Sequence, residues 1–175
     1  MTIHVLGLGE SLEEFKPDGN TTIGVNDIHS KHQTDYVVCV DQPSVFGKER
    51  LNTINQTKCK GFYSQIEAWR GIPNFRLIDF ARGRGNLEEL GKGRTCYSNN
   101  STFVAAVIAF EIGATKIVMH GADFRTHPNF KSHSKDRALS DFKELKNELN
   151  KMGVELLVGS EFSELSRFLP LFHAL

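Results

Sequence analysis

Short apolar runs alternate along this chain with segments that have the periodicity of helices. Two of the runs, residues 36–40 and 117–119, are continuously apolar and rich in β-branched side chains, as in strands covered on both faces. The helices predicted at 101–112 and 136–152 are each followed by a glycine, the residue that commonly ends a helix. This alternation predicts an α/β fold, a doubly wound (Rossmann-like) and mainly parallel sheet with helices on both faces.

Seven strands are predicted, and they are spread over the whole chain. In chain order they cover residues 3–8, 22–25, 36–40, 61–63, 75–78, 116–119 and 154–158. The segment 81–99 is rich in glycine and basic residues, and we expect it to be irregular. Because no sequence repeats and no linker divides the chain, residues 1–175 are predicted to form a single nucleotide-binding domain with a substantial core.

Charge and cysteine content exclude several classes of function. The 21 basic and 21 acidic side chains cancel, so no overall field favours nucleic acid or an anionic membrane. The three widely spaced cysteines indicate reduced thiols in a cytoplasmic protein. Neither a signal peptide nor an apolar stretch near the length of about 20 residues that spans a membrane is apparent, so no integral membrane segment is expected.

A glycine-containing turn follows the first predicted strand. Gly7, Gly9 and Ser11 succeed an apolar run, and Ser11 is predicted to be the N-cap of a short helix at 12–15. Such a turn is typical of α/β sheets that hold a phosphate against backbone N–H groups. The pattern is shorter than the full dinucleotide fingerprint and lacks a Walker lysine, so a purely structural turn is the alternative.

Polar and glycine residues also follow the other strands or begin the long apolar helix. In an open parallel sheet, ligands bind outside the carboxyl ends of the strands, so these positions are candidate contacts. The alternative is local, because such residues also form turns and helix caps. The candidates are Asn26, Asp27, Asp41, Gln42, Asn100, Ser101, Gly121 and Asp123.

His133 is the candidate catalytic residue. It lies between two serines just ahead of a predicted helix, where a histidine that titrates near neutrality can act as a general base; a solvent-facing loop histidine is the alternative. No metal site is predicted. The spacings from His120 to His127 and from His127 to His133 are not those of a helical zinc-binding pair, and no Asp-x-Asp follows any predicted strand.

The order of these motifs resembles a known family. Gly-x-Gly-x-Ser-Leu, Gly-Val-Asn, the run 41–46 (DQPSVF), Asn100-Ser101, the run 121–124 (GADF) and Ser132-His133-Ser134 occur in the order seen in bacterial lipooligosaccharide sialyltransferases. The chain is also similar to the flagellin-modifying motility accessory factors and to 6-hydroxymethylpterin diphosphokinase-like domains. The similarity extends from residue 3 to about residue 165, and the last two motifs are the most telling.

The resemblance implies roles for the candidate residues. Asn26, Asn100 and Ser101 would contact a nucleotide, Asp41 stands where the sialyltransferases have an asparagine that contacts it, and His133 stands where they have the general base. Gly7, Gly9 and Ser11 would form the turn around the nucleotide, with Gly121 and Asp123 beneath its ribose or phosphate. Two differences stand out: Leu8 replaces an asparagine, and the lid between residues 124 and 133 is much reduced and lacks tyrosine.

The resemblance, together with the missing acidic pair, implies a metal-independent glycosyltransferase that uses a nucleotide-sugar, with a CMP-sugar favoured, as its donor substrate and no cofactor. The partner that receives the sugar is expected to be a hydroxyl acceptor, with a glycan favoured. Basic residues outnumber acidic ones between 70 and 94, which leaves a modified DNA base open as an acceptor, although a solvated loop is the simpler interpretation of this segment. Two other functions stay open: a diphosphokinase-like transferase using ATP and Mg²⁺, and a non-catalytic nucleotide-binding module that kept the pocket and lost the lid.

Overall fold

The computed structural model describes residues 1–125 and 132–173, without the side chains of residues 132 and 133. Nine strands are present in these ranges. They are β1 (Thr2–Leu6), β2 (Thr21–Val25), β3 (Tyr36–Val38), β4 (Gly61–Ser64), β5 (Phe75–Leu77), β6 (Phe80–Arg84), β7 (Thr95–Tyr97), β8 (Lys116–His120) and β9 (Glu155–Val158). Seven of them form one sheet in the order β5-β4-β3-β2-β1-β8-β9, in which every neighbouring pair is parallel. The predicted α/β fold class is confirmed.

Helices cover both faces of the sheet. They are α1 (Lys48–Asn55), α2 (Ser101–Glu111) and α3 (Ser132–Lys151). Residues 102–109 of α2 are all buried, and the helix packs across β1, β2, β3 and β8, while α3 packs on β9. Because α2 is apolar on every side, it lies between the sheet and α3, where Phe103 meets Phe142 with ring centroids 5.6 Å apart.

The alternation of side chains in β1 shows how the two faces divide the core. Ile3 and Val5 point towards the α2 face, and Leu6 belongs to the cluster on the opposite face. That second cluster is covered by Ile54 of α1 and by Trp69, which lies in a short 3₁₀ turn. Both faces are therefore sealed, which explains why the central strands read as continuous apolar runs.

Three predictions about local structure were wrong. The segment 81–99 is not irregular throughout, because β6 and β7 pair in a small parallel sheet of their own. Helix α3 begins at Ser132 instead of residue 136, so His133 falls in its first turn and not ahead of it. Ser11 is not an N-cap; it lies inside a 3₁₀ helix, Glu10–Glu14, whose N-cap is Gly9.

The three cysteines are free thiols and have no arrangement suited to chemistry. Cys39 and Cys96 are buried, and burial raises the pKa of Cys39 to about 12 and that of Cys96 to about 11. These thiols stay protonated at neutral pH and are poor nucleophiles. In the ranges 1–125 and 132–173, no helix combines the length and the apolar content needed to cross a membrane.

Candidate active site

The carboxyl ends of β1 and β8 meet at the point where the order of the sheet reverses. From β1 the chain continues on one side to β2, whereas β8 pairs with β1 on the other side. Such a topological switch point is where open α/β sheets bind their ligands. The loops that follow β1 and β8 are joined there, because the Gly7 amide donates to the His120 carbonyl and the Gly9 amide to the Gly121 carbonyl, both at 2.8 Å.

Glycine is required in these two loops because their backbones are in close contact. A Cβ atom on Gly7 would lie 2.4 Å from the carbonyl oxygen of Gly121, and one on Gly121 would lie 2.6 Å from that of Gly7. Gly121 also has a positive φ of 60°. Gly7 and Gly9 thus bring the two loops together. Their backbone N–H groups are already bonded to the carbonyls of His120 and Gly121, so these two N–H groups are not free to bind a phosphate.

Ser11 and Asp123 fix the same two loops through their side chains. The Ser11 amide donates to Asp123 Oδ2 at 2.9 Å, and the Ser11 hydroxyl donates to Asp123 Oδ1. The Ser11 hydroxyl oxygen in turn accepts from the Gly121 amide at 3.1 Å. Both side chains are buried. The Asp123 carboxylate therefore serves to hold the loops that form the floor of the switch point.

Asn26 lies at the carboxyl end of β2 with an unsatisfied side chain. Its backbone has a positive φ of 52°, a conformation that is uncommon outside glycine, and its backbone N–H donates to the Val38 carbonyl at 3.0 Å. The side-chain oxygen, Oδ1, is buried and has no hydrogen-bond partner among the described residues. Strained backbone and unpaired buried polar atoms are both concentrated at functional sites.

Asp27 and Asp41 follow β2 and β3, and Arg50 of α1 is directed to the first of them. Arg50 donates to Asp27 Oδ1 from Nε at 2.9 Å and from Nη2 at 2.7 Å. Asp41 is half-buried; burial raises the pKa of its carboxyl group, and the charge of Arg50 opposes this. Within the described part of the chain, no residue donates a hydrogen bond to the Asp41 carboxylate.

Gln65 is a candidate site residue that the sequence analysis missed. It directly follows β4, and its side-chain Nε2 donates to the Val40 carbonyl at 2.9 Å. This bond fixes the orientation of the amide and leaves Oε1 buried with no partner among the residues described. The rule that located Asn26 and Asp41, a polar residue just beyond a strand, would also have found Gln65.

The N-terminus of α2 lies beside the first loop. Asn100 caps the helix, because its Oδ1 accepts from the Phe103 amide at 3.0 Å and from the Thr102 hydroxyl at 2.5 Å. In the described structure the amides of Ser101 and Thr102 have no such partner, as expected for the first turn of a helix. A Cβ atom on Gly7 would lie 3.0 Å from Thr102 Cγ2, so this helix end adjoins the switch point.

The first turn of α3 carries His133, whose side chain lies outside the described residues. The rest of α3 is anchored by Asp141, which accepts from Arg84 Nη2 at 3.0 Å and from the Ser98 hydroxyl at 2.9 Å. These contacts join α3 to the ends of β6 and β7. His133 as general base therefore stays a prediction, and His127 falls in the range that the structure does not describe.

The same architecture is found in solved structures of sialyltransferases from Campylobacter jejuni. Sialyltransferase CstII bound to the substrate analogue CMP-3FNeuAc matches with a TM-score of 0.62 and 15% identity, over 97% of this chain and 85% of CstII. An α-2,3-sialyltransferase in the apo form matches with a TM-score of 0.62 and 18% identity, over 98% of this chain and 80% of that one. CstII with a trisaccharide acceptor and CMP gives a TM-score of 0.59 and 15% identity, over 98% and 86%. The chain has the fold of these sialyltransferases.

Comparison of the sequence alone finds no such match. No protein-family model matches the chain, and no curated protein matches it. At 11–18% identity to the solved sialyltransferases, what is shared is the fold, including the parallel sheet and its switch point. The chemistry at that point has to be argued from the residues of this chain.

A cleft of about 410 Å³ opens beyond the carboxyl end of β9. It lies on the side of the switch point opposite to Asn26 and Asp41, because β9 pairs with β8 and β2 pairs with β1. Two aromatic and two acidic side chains stand out among its walls: Phe162, Phe172, Glu14 and Glu161. None of the residues predicted from the sequence lines this cleft.

Two buried histidines lie close to the cleft and have a structural role. His4 Nδ1 and His120 Nε2 are 2.9 Å apart, and His4 Nε2 lies 3.2 Å from Asp18 Oδ2. Burial, followed by the neighbouring His4, lowers the pKa of His120 to about 4. The other edge of the His120 ring is packed so tightly that a Cβ atom on Gly159 would lie 2.2 Å from Nδ1. His120 is thus neutral and enclosed at pH 7.

The carboxylates near the switch point are not grouped as the ligands of a metal ion would be, among the residues that the structure describes. Asp123 accepts from Ser11, and Asp27 accepts from Arg50. Among residues 1–125 and 132–173, no three His, Cys, Asp or Glu side chains are grouped so that they could hold a metal ion.

Proposed function

We propose that this protein is a metal-independent glycosyltransferase that moves a sugar from a CMP-sugar to a hydroxyl acceptor, with His133 as the general base. The observation that carries the proposal is the fold, shared over 97% of the chain with a sialyltransferase solved in complex with a CMP-sugar analogue. The position of Asn26, Asp41 and Ser101 at the carboxyl edge of that fold supports it.

The donor would be held between α2 and the strand ends. The free amides of Ser101 and Thr102 and the dipole of α2 favour a phosphate at the helix N-terminus. The side-chain Oδ1 of Asn26, at the end of β2, has no partner among the described residues, so it can accept a hydrogen bond from the same nucleotide without first breaking a contact in the protein. The loops joined by Ser11 and Asp123 would form the floor beneath the ribose and phosphate.

In the transfer step, the acceptor hydroxyl oxygen bonds to the anomeric carbon while the bond from that carbon to the phosphate oxygen breaks. The electron pair of the broken bond stays on the phosphate, which leaves as CMP, and the acceptor proton passes to His133. A monophosphate leaving group needs less charge stabilisation than a diphosphate. We assign this stabilisation to Arg125, which is exposed just beyond the Gly121–Asp123 loop and whose guanidinium carbon lies 4.6 Å from the centre of the Phe162 ring.

The acceptor would enter from the β9 side. The cleft there presents the ring of Phe172, against which a sugar ring can pack, together with acidic groups that accept hydrogen bonds from hydroxyls. The ring of Phe162 already carries the Arg125 guanidinium, whose carbon lies 4.6 Å from the ring centre. CstII has been solved with a trisaccharide acceptor, which favours a glycan for this chain as well.

Binding of CMP by Asn26→Ala and by the native protein tests the proposal. Ligands that bind only the folded state raise the melting temperature, so CMP should stabilise the native protein more than ATP with Mg²⁺ does. Loss of the Asn26 amide should weaken CMP binding by about 1–3 kcal/mol. Stabilisation by ATP and Mg²⁺ in place of CMP would favour the diphosphokinase alternative, and CMP binding with no turnover of any CMP-sugar would favour the non-catalytic module.

A further inference from the structure

Three neighbouring strands of the sheet end in hydrogen-bond acceptors that have no donor. Asn26 Oδ1, after β2, and Gln65 Oε1, after β4, are buried and unpaired among the described residues. Between them, after β3, the half-buried Asp41 carboxylate also receives no hydrogen bond within that part of the chain. Buried acceptors without donors are costly, and more than one at the same edge of a sheet calls for a common explanation.

The order of the strands places the two buried acceptors on either side of Asp41, because β3 lies between β2 and β4. The backbone N–H of Asn26 donates to the carbonyl of Val38 in β3 at 3.0 Å, and the side-chain Nε2 of Gln65 donates to the carbonyl of Val40, two residues beyond β3, at 2.9 Å. Adjacent strands lie about 4.8 Å apart, so the three strand ends span roughly 10 Å. This width fits one sugar ring or one nucleobase.

The charge at these strand ends is negative. Arg50, the basic side chain that acts on Asp41, already donates from Nε and Nη2 to Asp27 Oδ1, and its guanidinium carbon lies 5.0 Å from the centre of the Phe46 ring. Arg50 is therefore paired with Asp27 and does not form a salt bridge that would neutralise Asp41. A bound group here meets acceptor oxygens and a carboxylate.

We propose that the ends of β2, β3 and β4 form a subsite, consisting of Asn26, Asp41 and Gln65, that accepts hydrogen bonds from a neutral, donor-bearing part of the substrate and disfavours a carboxylate. Resting on the proposed function, this inference leaves two sources for the donors: sugar hydroxyls or the amino group of the nucleobase. If the sugar occupies the subsite, the transferred sugar is a neutral one and not sialic acid.

The test measures dissociation constants by calorimetry for two matched pairs of ligands. CMP and UMP differ in the base, where the C4 amino donor of cytosine is replaced by a carbonyl oxygen and N3 gains a proton. The methyl ester of CMP-sialic acid and CMP-sialic acid itself differ by the negative charge on the sugar. The variants are Asp41→Asn and Gln65→Leu. Glu49→Gln, at an exposed carboxylate on α1, and Gln33→Leu, at an exposed amide in the loop that leads into β3, are their controls.

If the sugar occupies the subsite, the native protein should bind the ester about tenfold more tightly than the acid, and Asp41→Asn should reduce this ratio to near one. If the base occupies it, CMP should be preferred over UMP to a similar degree, and Gln65→Leu or Asp41→Asn should remove that preference. The two controls should leave both ratios unchanged.

CMP binding with neither ratio altered by Asp41→Asn or Gln65→Leu overturns the inference while the proposed function stands. Failure of every CMP ligand to bind overturns both.

Discussion

Ser11 and Asp123 are 112 residues apart in the chain, yet the amide and the hydroxyl of Ser11 both donate to the carboxylate of Asp123. The bonds join the loop after β1 to the loop after β8, at the point where the sheet order reverses. Asp123 is further fixed from the β9 side, because its carbonyl oxygen accepts from the Glu164 amide at 2.9 Å. One buried carboxylate thus holds the centre of the candidate site together.

Asp123→Ala should therefore cost stability as well as ligand binding. It leaves the buried Ser11 hydroxyl and amide without an acceptor, and each unsatisfied buried donor costs about 1–3 kcal/mol. We expect the free energy of unfolding in urea to fall by roughly 2–5 kcal/mol. Asp79→Ala, at a mostly exposed carboxylate, is the control and should change it by less than about 1 kcal/mol. Native stability in Asp123→Ala would mean that the pair does not hold the loops.

Gly7→Ala should be poorly tolerated because of the backbone opposite. The added methyl group would lie 2.4 Å from the Gly121 carbonyl oxygen, which cannot move without breaking the Gly9–Gly121 hydrogen bond. Overpacking of this kind costs about 1–3 kcal/mol, and urea unfolding measures it. Gly71→Ala, where nothing lies within 4 Å of the added atom, is the matched control. Equal stability of the two variants would contradict the close approach of the loops.

The positions of the strands could be predicted from the sequence, but the contacts between their loops could not. Apolar runs marked all seven strands of the main sheet. The inner strands have little polar content because they are buried on both faces, whereas the edge strand β5, with Arg76 and Leu77 exposed, was marked by Phe75, Leu77 and Ile78. Helix α1 was missed since only Leu51 and Ile54 are apolar in it, and β6 and β7 were hidden by glycines and charges. The pairing of Ser11 with Asp123 depends on which strands become neighbours in the sheet, and the spacing of residues in the sequence does not show this.

Acid should destabilise the fold through His120. Its folded-state pKa is about 4, below the value of about 6.5 expected in the unfolded chain. The unfolded state therefore binds the extra proton between these values. The contribution of neutral His120 to the free energy of unfolding is fully present above about pH 6.5. It is lost progressively as the pH falls to about 4, by up to roughly 3 kcal/mol.

The measurement is the free energy of unfolding in urea between pH 4 and pH 7.5. His120→Gln should flatten the acid limb of this profile, even if it lowers the stability at pH 7. His173→Gln, at an exposed histidine, should leave the shape of the profile unchanged. An acid limb of native steepness in His120→Gln would assign the effect to other groups.

Turnover should not depend on a divalent metal. No Asp-x-Asp occurs in the sequence, and Asp123 and Asp27 are engaged with Ser11 and Arg50. The rate of transfer from a CMP-sugar in the presence of EDTA should match the rate in Mg²⁺ within about twofold. If a Lewis-acid metal took part, its removal would raise the barrier by several kcal/mol and lower the rate far more than that. Loss of turnover in EDTA with recovery in Mg²⁺ or Mn²⁺ would contradict the proposal and favour phosphoryl transfer.

His133→Ala should separate catalysis from binding. A general base acts on the acceptor and does not hold the donor, so the dissociation constant of CMP should stay within about twofold while turnover falls by about 10²–10⁴-fold. The native pH–rate profile should have an acid limb near pH 6.5, the ordinary pKa of a histidine, and this limb should disappear in the variant. His32→Ala, at a half-buried histidine after β2, is the control and should keep both turnover and the limb. Native turnover in His133→Ala with a true acceptor would contradict the proposed mechanism. With CMP binding intact, a different base would then have to be sought among the residues at the carboxyl ends of the strands.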